Sequence, residues 1–452
     1  MQPIGLRQSC SSPKVVDGEG PISLLEPTFR VLRRIPRLNF LLRTVYPQWL
    51  HKATVHFDKR VQETALSILQ INPNSLTSAA RIQLTLPIKL GGFGLRKSQL
   101  TSPLAFVSSF ALVAKVIQKL FQNDVFTSPS HLSTFIPHCL SQIRSTVTGC
   151  DQLLPTDNDI QSVLRFYTSL EDKIPHLQKP LSSAMDKGLL SKLASQLDAA
   201  GIARLNSCKA RYGGAWLTAW PTDFDSMLSS LHFRLAARFR LGIPPTDHMP
   251  LSCRCKKPLR FDPYHFLSCK ITSLTAINFR HNMVVQAIKQ WIRRAGGIAL
   301  IEPTNLSLNY GKRPDLHIVL GTWQCLADVT VTHPCAPSNI GAALVELGLS
   351  RRAETQKNKR YRTMASAQGT HFLPVAAETF GAIGDSAYLL FSKIADYAEE
   401  STHGVIWQRN AVRLGLINAV AMAIQRGNAI CITRGLHQAQ YNRGAEEAES
   451  TD

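Results

Sequence analysis

Two aspartates and a lysine in the last third of the chain have the residue types and spacing to bind a divalent metal and act on a phosphate. Arg313-Pro-Asp-Leu-His-Ile-Val-Leu320 and Trp323-Gln-Cys-Leu-Ala-Asp-Val-Thr-Val331 are β-prone runs separated by Gly321-Thr322, and a two-residue loop with glycine first predicts a type II′ hairpin. If Leu320 faces Trp323, then Leu316 faces Ala327 and Ile318 faces Cys325, so one face is wholly apolar. On the other face Asp315 stands directly opposite Asp328. Paired β-carbons lie ~4.5–5.5 Å apart, where like charges repel, so the two carboxylates call for a bound cation or a shared proton. Mg²⁺ or Mn²⁺ meets that need, and such an ion can polarise a phosphoryl oxygen and lower the pKa of a bound water. The competing reading is that one aspartate merely caps a turn beside Pro314.

A cation to accompany the carboxylates is expected from the helix that follows Ser350 and ends near Gly369. At 100° per residue Ala353, Lys357, Tyr361 and Met364 share an inward stripe, while Arg352, Lys359 and Arg362 point elsewhere and are candidates for nucleic-acid contact. Lys357 either serves the carboxylates or snorkels to solvent. Glu378, at the end of the strand-like HFLPVAAE segment, is a candidate third carboxylate for the metal. Arg280 and His281 are expected at the start of an amphipathic helix from Phe279 to Ala295, where they could orient a phosphate, or cap and pack.

A second constellation lies just upstream. Cys253, Cys255, His265 and Cys269 offer three thiolates and an imidazole, the ligand set of a structural Zn²⁺ site. The single residue between the first two cysteines is tighter than usual, and His248 could replace one ligand; a chance grouping in a loop is the alternative. Lys256, Lys257 and Arg260 within this knuckle are expected to touch phosphate.

These residues must be positioned by a longer frame. The chain has 452 residues and a formal net charge of +20, which favours a polyanionic partner, DNA or RNA, over a membrane. The nearest approach to a spanning segment, Pro103 to Phe121, is interrupted by Lys115, Gln118 and Lys119 and reads as a buried helix. The N-terminus lacks the apolar core of a secretory signal, so a reducing compartment is expected and the ten cysteines are not read as a disulfide framework. A multidomain protein is expected: a flexible lead-in over 1–25, a helical region over 26–120 containing the glycine turn Leu90 to Leu95, and a helical linker over 121–247. Pro129, Pro137, Pro155, Pro175 and Pro180 are read as helix stops. The linker includes the Trp216 and Trp220 pair. The knuckle over 248–272, a domain over 273–435 with a small central mixed sheet flanked by helices, and a disordered tail over 436–452 complete the chain.

The motifs PD (314–315), twelve residues, DVT (328–330), then AExxKxxxY (353–361) and FxPxxxETFG (372–381) resemble the restriction-like endonuclease domain of site-specific non-LTR retrotransposons. RHN (280–282), the Cys-Cys-His-Cys knuckle, GAWLTAWPT (214–222) with FRLAARFRLG (233–242), and LPIKLGGFGLR (86–96) resemble that family's linker and reverse-transcriptase thumb, so the resemblance covers nearly the whole chain. It implies an α/β core of the PD-(D/E)xK class, with Asp315 and Asp328 on the metal, Thr330 at the usual lysine position of the strand, and Lys357 as the lysine moved to a helix. It further implies nicking of target DNA in the nucleus to leave a 3′-hydroxyl that primes copying of the element's RNA. The sequence departs in having no Asp-Asp pair, so polymerisation is not expected of this chain alone, and in having three residues rather than four before Cys269. A fragment or truncated copy, acting with the missing polymerase portion or a second copy, fits that departure. The alternatives are a catalytically silent nucleic-acid-binding remnant and a stand-alone repair or junction-resolving nuclease.

Overall fold

The computed structural model describes residues 38–122, 131–149, 151–170, 176–220, 227–303 and 313–449. The expected lead-in over 1–25 lies outside them. The N-terminal half is helical: α1 (Asn39–Thr44), α2 (Pro47–Leu69), α3 (Ser78–Thr85), α4 (Ser98–Gln122), α5 (Leu132–Thr146), α6 (Ile160–Ser169), α7 (Gln178–Ala194), α8 (Ala199–Lys209), α9 (Ala215–Thr218) and α10 (Ser230–Leu241). Then follow α11 (Lys270–Arg294), β1 (Ile298–Ile301), β2 (Leu316–Leu320), β3 (Trp323–Thr332), α12 (Ile340–Ala343), α13 (Gly348–Ala367), β4 (His371–Glu378), α14 (Asp385–Ser401) and α15 (Arg409–Glu449). The described residues are thus α-rich with one small mixed sheet, as expected. Among the described residues that sheet has the order β1-β2-β3-β4, antiparallel but for the parallel β3–β4 pair.

Two of the prolines read as stops lie inside helices: Pro137 within α5, and Pro180 in the first turn of α7, where a missing N–H would be unpaired anyway. One apolar core joins α5, α6 and α7 with Leu104 to Ala114 of α4. A second runs from Leu66 and Leu84 through Trp216, Ala236 and Leu241 to the sheet and to α11, α14 and α15. The second core therefore crosses the expected boundaries near 120 and 247. Its sheet face carries Leu316, Ile318, Leu320, Cys325 and Ala327, all buried. The opposite face packs Leu326 and Phe372 against Tyr361, Met364 and Ala365 of α13. The sheet is thus sandwiched between α13 and the α11, α14 and α15 layer.

Two further expectations change. The boundary at 272/273 falls inside α11, because Cys269 caps that helix, its Sγ accepting from the Thr272 N–H at 3.5 Å. The tail expected to be disordered from 436 instead continues α15, where Leu436 and Ala439 pack against the knuckle. Of the tryptophan pair, Trp216 is buried while Trp220 is exposed. The helices long and apolar enough to cross a bilayer, Ser98–Leu120 and Arg409–Gln440, both contribute to the packed cores, the second being mostly buried.

The glycine turn docks onto α10 through a buried arginine. The Arg240 guanidinium donates to the carbonyls of Gly92 (3.3 Å), Gly213 (2.8 Å), Ile88 (3.0 Å) and Cys208 (3.3 Å). Arg204 reaches the same knot, donating to Gln83 Oε1 at 2.7 Å and to the Arg240 carbonyl, and Gln83 donates to the Gly91 carbonyl at 2.9 Å. Gly92 is required there, since a Cβ would lie 2.0 Å from the Leu86 carbonyl oxygen. Leaving several buried acceptors without donors costs ~1–3 kcal/mol each, so Arg240→Met is expected to lower stability by at least about 3 kcal/mol in urea unfolding. A change within about 0.5 kcal/mol, typical of a surface site, would show that the knot contributes little.

Candidate functional site

The hairpin has the expected register. Leu316 pairs with Ala327, Ile318 with Cys325 and Leu320 with Trp323, so continuing the ladder by one step brings Asp315 opposite Asp328. Gly321 has φ +59° while Thr322 is not among the residues with positive φ, as a type II′ turn requires. Asp315, in the bend before β2, is held by its Oδ2, which accepts from the Val329 N–H at 2.6 Å and lies 3.1 Å from His281 Nε2. Asp328 faces α13, and the Lys357 ammonium approaches its Oδ2 to 2.5 Å. Ala353, Tyr361 and Met364 are buried on the same stripe, so the helical phase brings Lys357 inward over the sheet.

The electrostatics follow from burial and like charge. Burial first, and then the Asp315 carboxylate, push the Asp328 pKa up, while Lys357 pulls it back. Burial would lower the His281 pKa, but the contact with the Asp315 carboxylate outweighs it and the pKa is raised. Burial and the charge of Asp328 take the Tyr361 hydroxyl to about 12, so it stays protonated and donates to the Arg313 carbonyl at 3.1 Å. The Thr330 hydroxyl, two residues along from Asp328 on the same face, is buried with no hydrogen-bond partner. The arrangement is a carboxylate pair with a cation above it and a histidine behind it.

Two candidate residues fall outside this group. Glu378 is paired with Thr332, whereas Asp328 is paired with Pro374, so Glu378 lies four residues further along the sheet, about 13 Å away at ~3.3 Å per residue. Its carboxyl accepts from the Ser350 hydroxyl at 2.9 Å, and burial raises its pKa. Arg280 is not at a helix start, since α11 begins ten residues earlier. It is buried, donating to Asn428 Oδ1 at 3.0 Å and to the Leu267 carbonyl at 3.3 Å, and it lies over Gly427, where a Cβ would come within 2.4 Å of its Cγ. It ties α11 to α15 and cannot face a phosphate. Arg352 is bonded to Asn339 and Ser338, whereas Lys359 and Arg362 are exposed. Glu354 of the AExxK motif accepts from the Ser386 N–H at 2.9 Å, anchoring the start of α14.

The cysteine cluster is gathered as expected. Donor atoms of Cys253, Cys255, His265 and Cys269 all lie within 4.8 Å of one another, and His248 is not among them. Cys253 and Cys269 Sγ are 3.8 Å apart, close to the separation that two bonds of about 2.3 Å to a tetrahedral zinc would give, and Cys255 Sγ is 3.0 Å from His265 Nε2. The tight first turn closes because Lys256 takes φ +66° and its N–H donates to the Cys253 carbonyl at 2.7 Å. These residues could hold a metal such as zinc. Sequence reasoning missed Asp262, three residues before His265, whose Oδ2 lies 3.6 Å from the ring Nδ1 and thereby turns Nε2 toward the thiols. A carboxylate one helical turn from a ligand histidine was the available signal. Asp262 also takes up Lys257 at 3.3 Å, leaving Lys256 and Arg260 exposed on the knuckle.

Metal binding here would have to displace protons, because His265 and Cys253 both hold theirs above the neutral range. The contact with Asp262 raises His265 to about 9, burial raises Cys253 to about 11, and for Cys269 the upward push of burial is outweighed by Thr272, bringing it to about 7. No protein-family model matches the chain, and no curated protein is similar enough to stand as a relative.

Metal analysis of the purified protein should find one zinc per chain that Cys269→Ser loses and His248→Ala retains, with the Cys269→Ser protein melting at lower temperature. A protein that keeps its zinc without Cys269 would rule out this ligand set. For the carboxylates the sign follows from the raised pKa of Asp328. The folded state holds that proton more tightly, so its contribution is full below the unfolded carboxylate value and is lost as pH rises through the folded one. In chelator, the stability of Asp328→Asn relative to the unsubstituted chain should therefore improve as pH rises from the acid range toward neutrality. Parallel pH profiles would disprove the like-charge strain.

Proposed function

We propose that this protein is a metal-dependent DNA endonuclease of the PD-(D/E)xK kind, acting as in the restriction-like domain of site-specific non-LTR retrotransposons. The observation that carries the reading is the convergence of Asp315, Asp328 and Lys357: two carboxylates set against each other by a hairpin, with an ammonium 2.5 Å from one of them. The carboxylate oxygens are the hard ligands that Mg²⁺ or Mn²⁺ takes, and the buried Thr330 hydroxyl, on the same strand face as Asp328, has no hydrogen-bond partner. Asp315 and Asp328 would hold the ion, which when bound supplies Lewis-acid polarisation of a phosphoryl oxygen. Lys357, half-buried and aimed at the pair, orients the attacking water and offsets the charge that builds on the phosphate. His281 and the Val329 N–H keep Asp315 from turning away. Water adds to phosphorus as the P–O3′ bond breaks, leaving a 5′-phosphate and a free 3′-hydroxyl.

The wider reading, a retrotransposon protein with thumb-like helices, a zinc knuckle on nucleic acid, element RNA as partner and nuclear action, is what the motif resemblance implies, and the segments that carry the resemblance pack on one another. LPIKLGGFG, YGGAW and FRLAARFRLG are joined by Arg240, and Phe239 stacks on Phe380 of the ETFG segment at 3.9 Å.

Incubation with supercoiled DNA and Mg²⁺ or Mn²⁺ should convert it to the nicked form. Asp328→Ala should abolish the conversion, and Lys357→Ala should slow it about 10²- to 10³-fold, the scale of losing one charge-stabilising donor. Nicking that persists in Asp328→Ala would overturn the proposal.

A further inference from the structure

The turn that carries Asp315 is held from the sheet and also from a helix. On the sheet side the Glu302 N–H donates to the Asp315 carbonyl at 3.0 Å, and the Val329 N–H donates to its carboxylate at 2.6 Å. On the helix side the Tyr361 hydroxyl of α13 donates to the carbonyl of Arg313, two residues before Asp315, at 3.1 Å. The same hydroxyl acts on the other carboxylate: burial raises the Asp328 pKa, and hydrogen bonding to Tyr361 is among the influences that draw it back. Tyr361 therefore meets the segments of both aspartates.

The direction of that hydroxyl is fixed by its ring. Tyr361 is buried with Leu326, Met364 and Ala365, its ring centroid lies 5.3 Å from that of Phe372, and the Arg360 guanidinium sits over it at 5.2 Å. A phenylalanine would fill the same space, so the packing does not account for the oxygen. Lys357, whose ammonium reaches Asp328, lies one turn earlier on the same stripe, about 6 Å along the helix. The hairpin sets the two carboxylates against each other, but it does not set their distance from a lysine that belongs to α13. A bond from α13 to the aspartate turn does, because the helix cannot then slide along the sheet without breaking it.

We propose that Tyr361 is a positioning residue of the carboxylate site, its hydroxyl tying the Asp315 turn to α13 and so fixing both aspartates relative to Lys357. The inference deepens the nuclease reading and rests on it for the identity of the bound ion. Tyr361 acts through its neighbours rather than on the substrate. It holds the ligand oxygens in place before an ion arrives, so their ordering is not a cost of binding.

The test compares the full chain with Tyr361→Phe, which keeps the ring and removes only the oxygen. Circular dichroism is expected to be unchanged, while hydrogen exchange measured in chelator should speed up in the peptide from Arg313 to His317. Mn²⁺ titration followed by electron paramagnetic resonance should show about tenfold weaker binding at the site that Asp328→Ala removes, the low end for losing an outer hydrogen bond around metal ligands. The kcat for nicking should fall by a similar factor with the KM for DNA unchanged. Met364→Ala opens the same packed cluster but keeps the hydroxyl, and should lower the melting temperature without weakening Mn²⁺ binding. Unchanged exchange or unchanged Mn²⁺ affinity in Tyr361→Phe, an equal loss in Met364→Ala, or a Tyr361→Phe protein that does not fold would overturn the proposal, the last two by assigning the residue to stability alone. Mn²⁺ binding that Tyr361→Phe weakens, without nicking by either protein, would defeat the nuclease reading alone. Nicking that Tyr361→Phe leaves at full rate would defeat the positioning role alone, and an unsubstituted chain that binds no Mn²⁺ would defeat both.

Discussion

The interior of this chain is organised by a guanidinium whose bonding partners are carbonyls rather than a carboxylate. Burying an arginine costs several kcal/mol unless its donors are satisfied, and Arg240 satisfies them on Ile88, Gly92, Cys208 and Gly213. Segments far apart in sequence must therefore meet before that charge is tolerable. The adjacent side chain, Phe239, stacks on Phe380 just beyond β4. Gly381 next to it has φ +105° and approaches the Gly213 carbonyl so closely that a Cβ would lie 3.2 Å from its oxygen. The N-terminal helices, the Tyr-Gly-Gly turn and the end of the sheet are thus fixed to one another through two consecutive residues of α10.

What was legible in the sequence was what local geometry decides. The hairpin register follows from a two-residue loop and a period of two, and the inward phase of Lys357 from a period of 3.6, so both could be read without knowing the fold. Glu378 was misplaced because β3 and β4 are parallel. No turn sets a parallel register, and the pairing of Asp328 with Pro374 rather than with a residue near Glu378 is decided by how α13 packs across the sheet. Arg280 was misplaced for a related reason. The apolar stripe of α11 is clear from Val284 onward, but its true start depends on Cys269, a residue whose side chain both caps the helix and faces the other thiols.

The knuckle shows the same division between types and contacts. Its four ligands could be chosen by chemistry, whereas the carboxylate that orients His265 and the helix that covers the cluster are tertiary features. Phe266 packs where Gly435 leaves no side chain, a Cβ there coming within 2.2 Å of the ring, and Leu436 and Ala439 close over the cysteines. A tail rich in Ala, Glu and Gln reads as disordered in isolation because nothing in its composition announces that partner. Arg240 itself escaped notice because a basic residue on an amphipathic helix is ordinarily solvated, and only the fold reveals the carbonyls that replace water.

The position of Lys357 has a mechanical consequence for the proposed chemistry. A lysine at the strand position of Thr330 would lie about 6.6 Å along the backbone from Asp328 and rise from the same surface. From α13 the ammonium descends onto Asp328 from the helix layer packed on that face, and Thr330 places only a small, buried hydroxyl beside the carboxylate. In the proposed chemistry Asp328 would help hold a divalent ion, and the Lys357 ammonium, which reaches it from α13, offsets the charge of the buried carboxylate. Asp315 needs no such partner, since the Val329 N–H and His281 already hold it. One carboxylate is fixed by the backbone and the other by a movable side chain, so exchange of one cation for another at Asp328 need not disturb the hairpin.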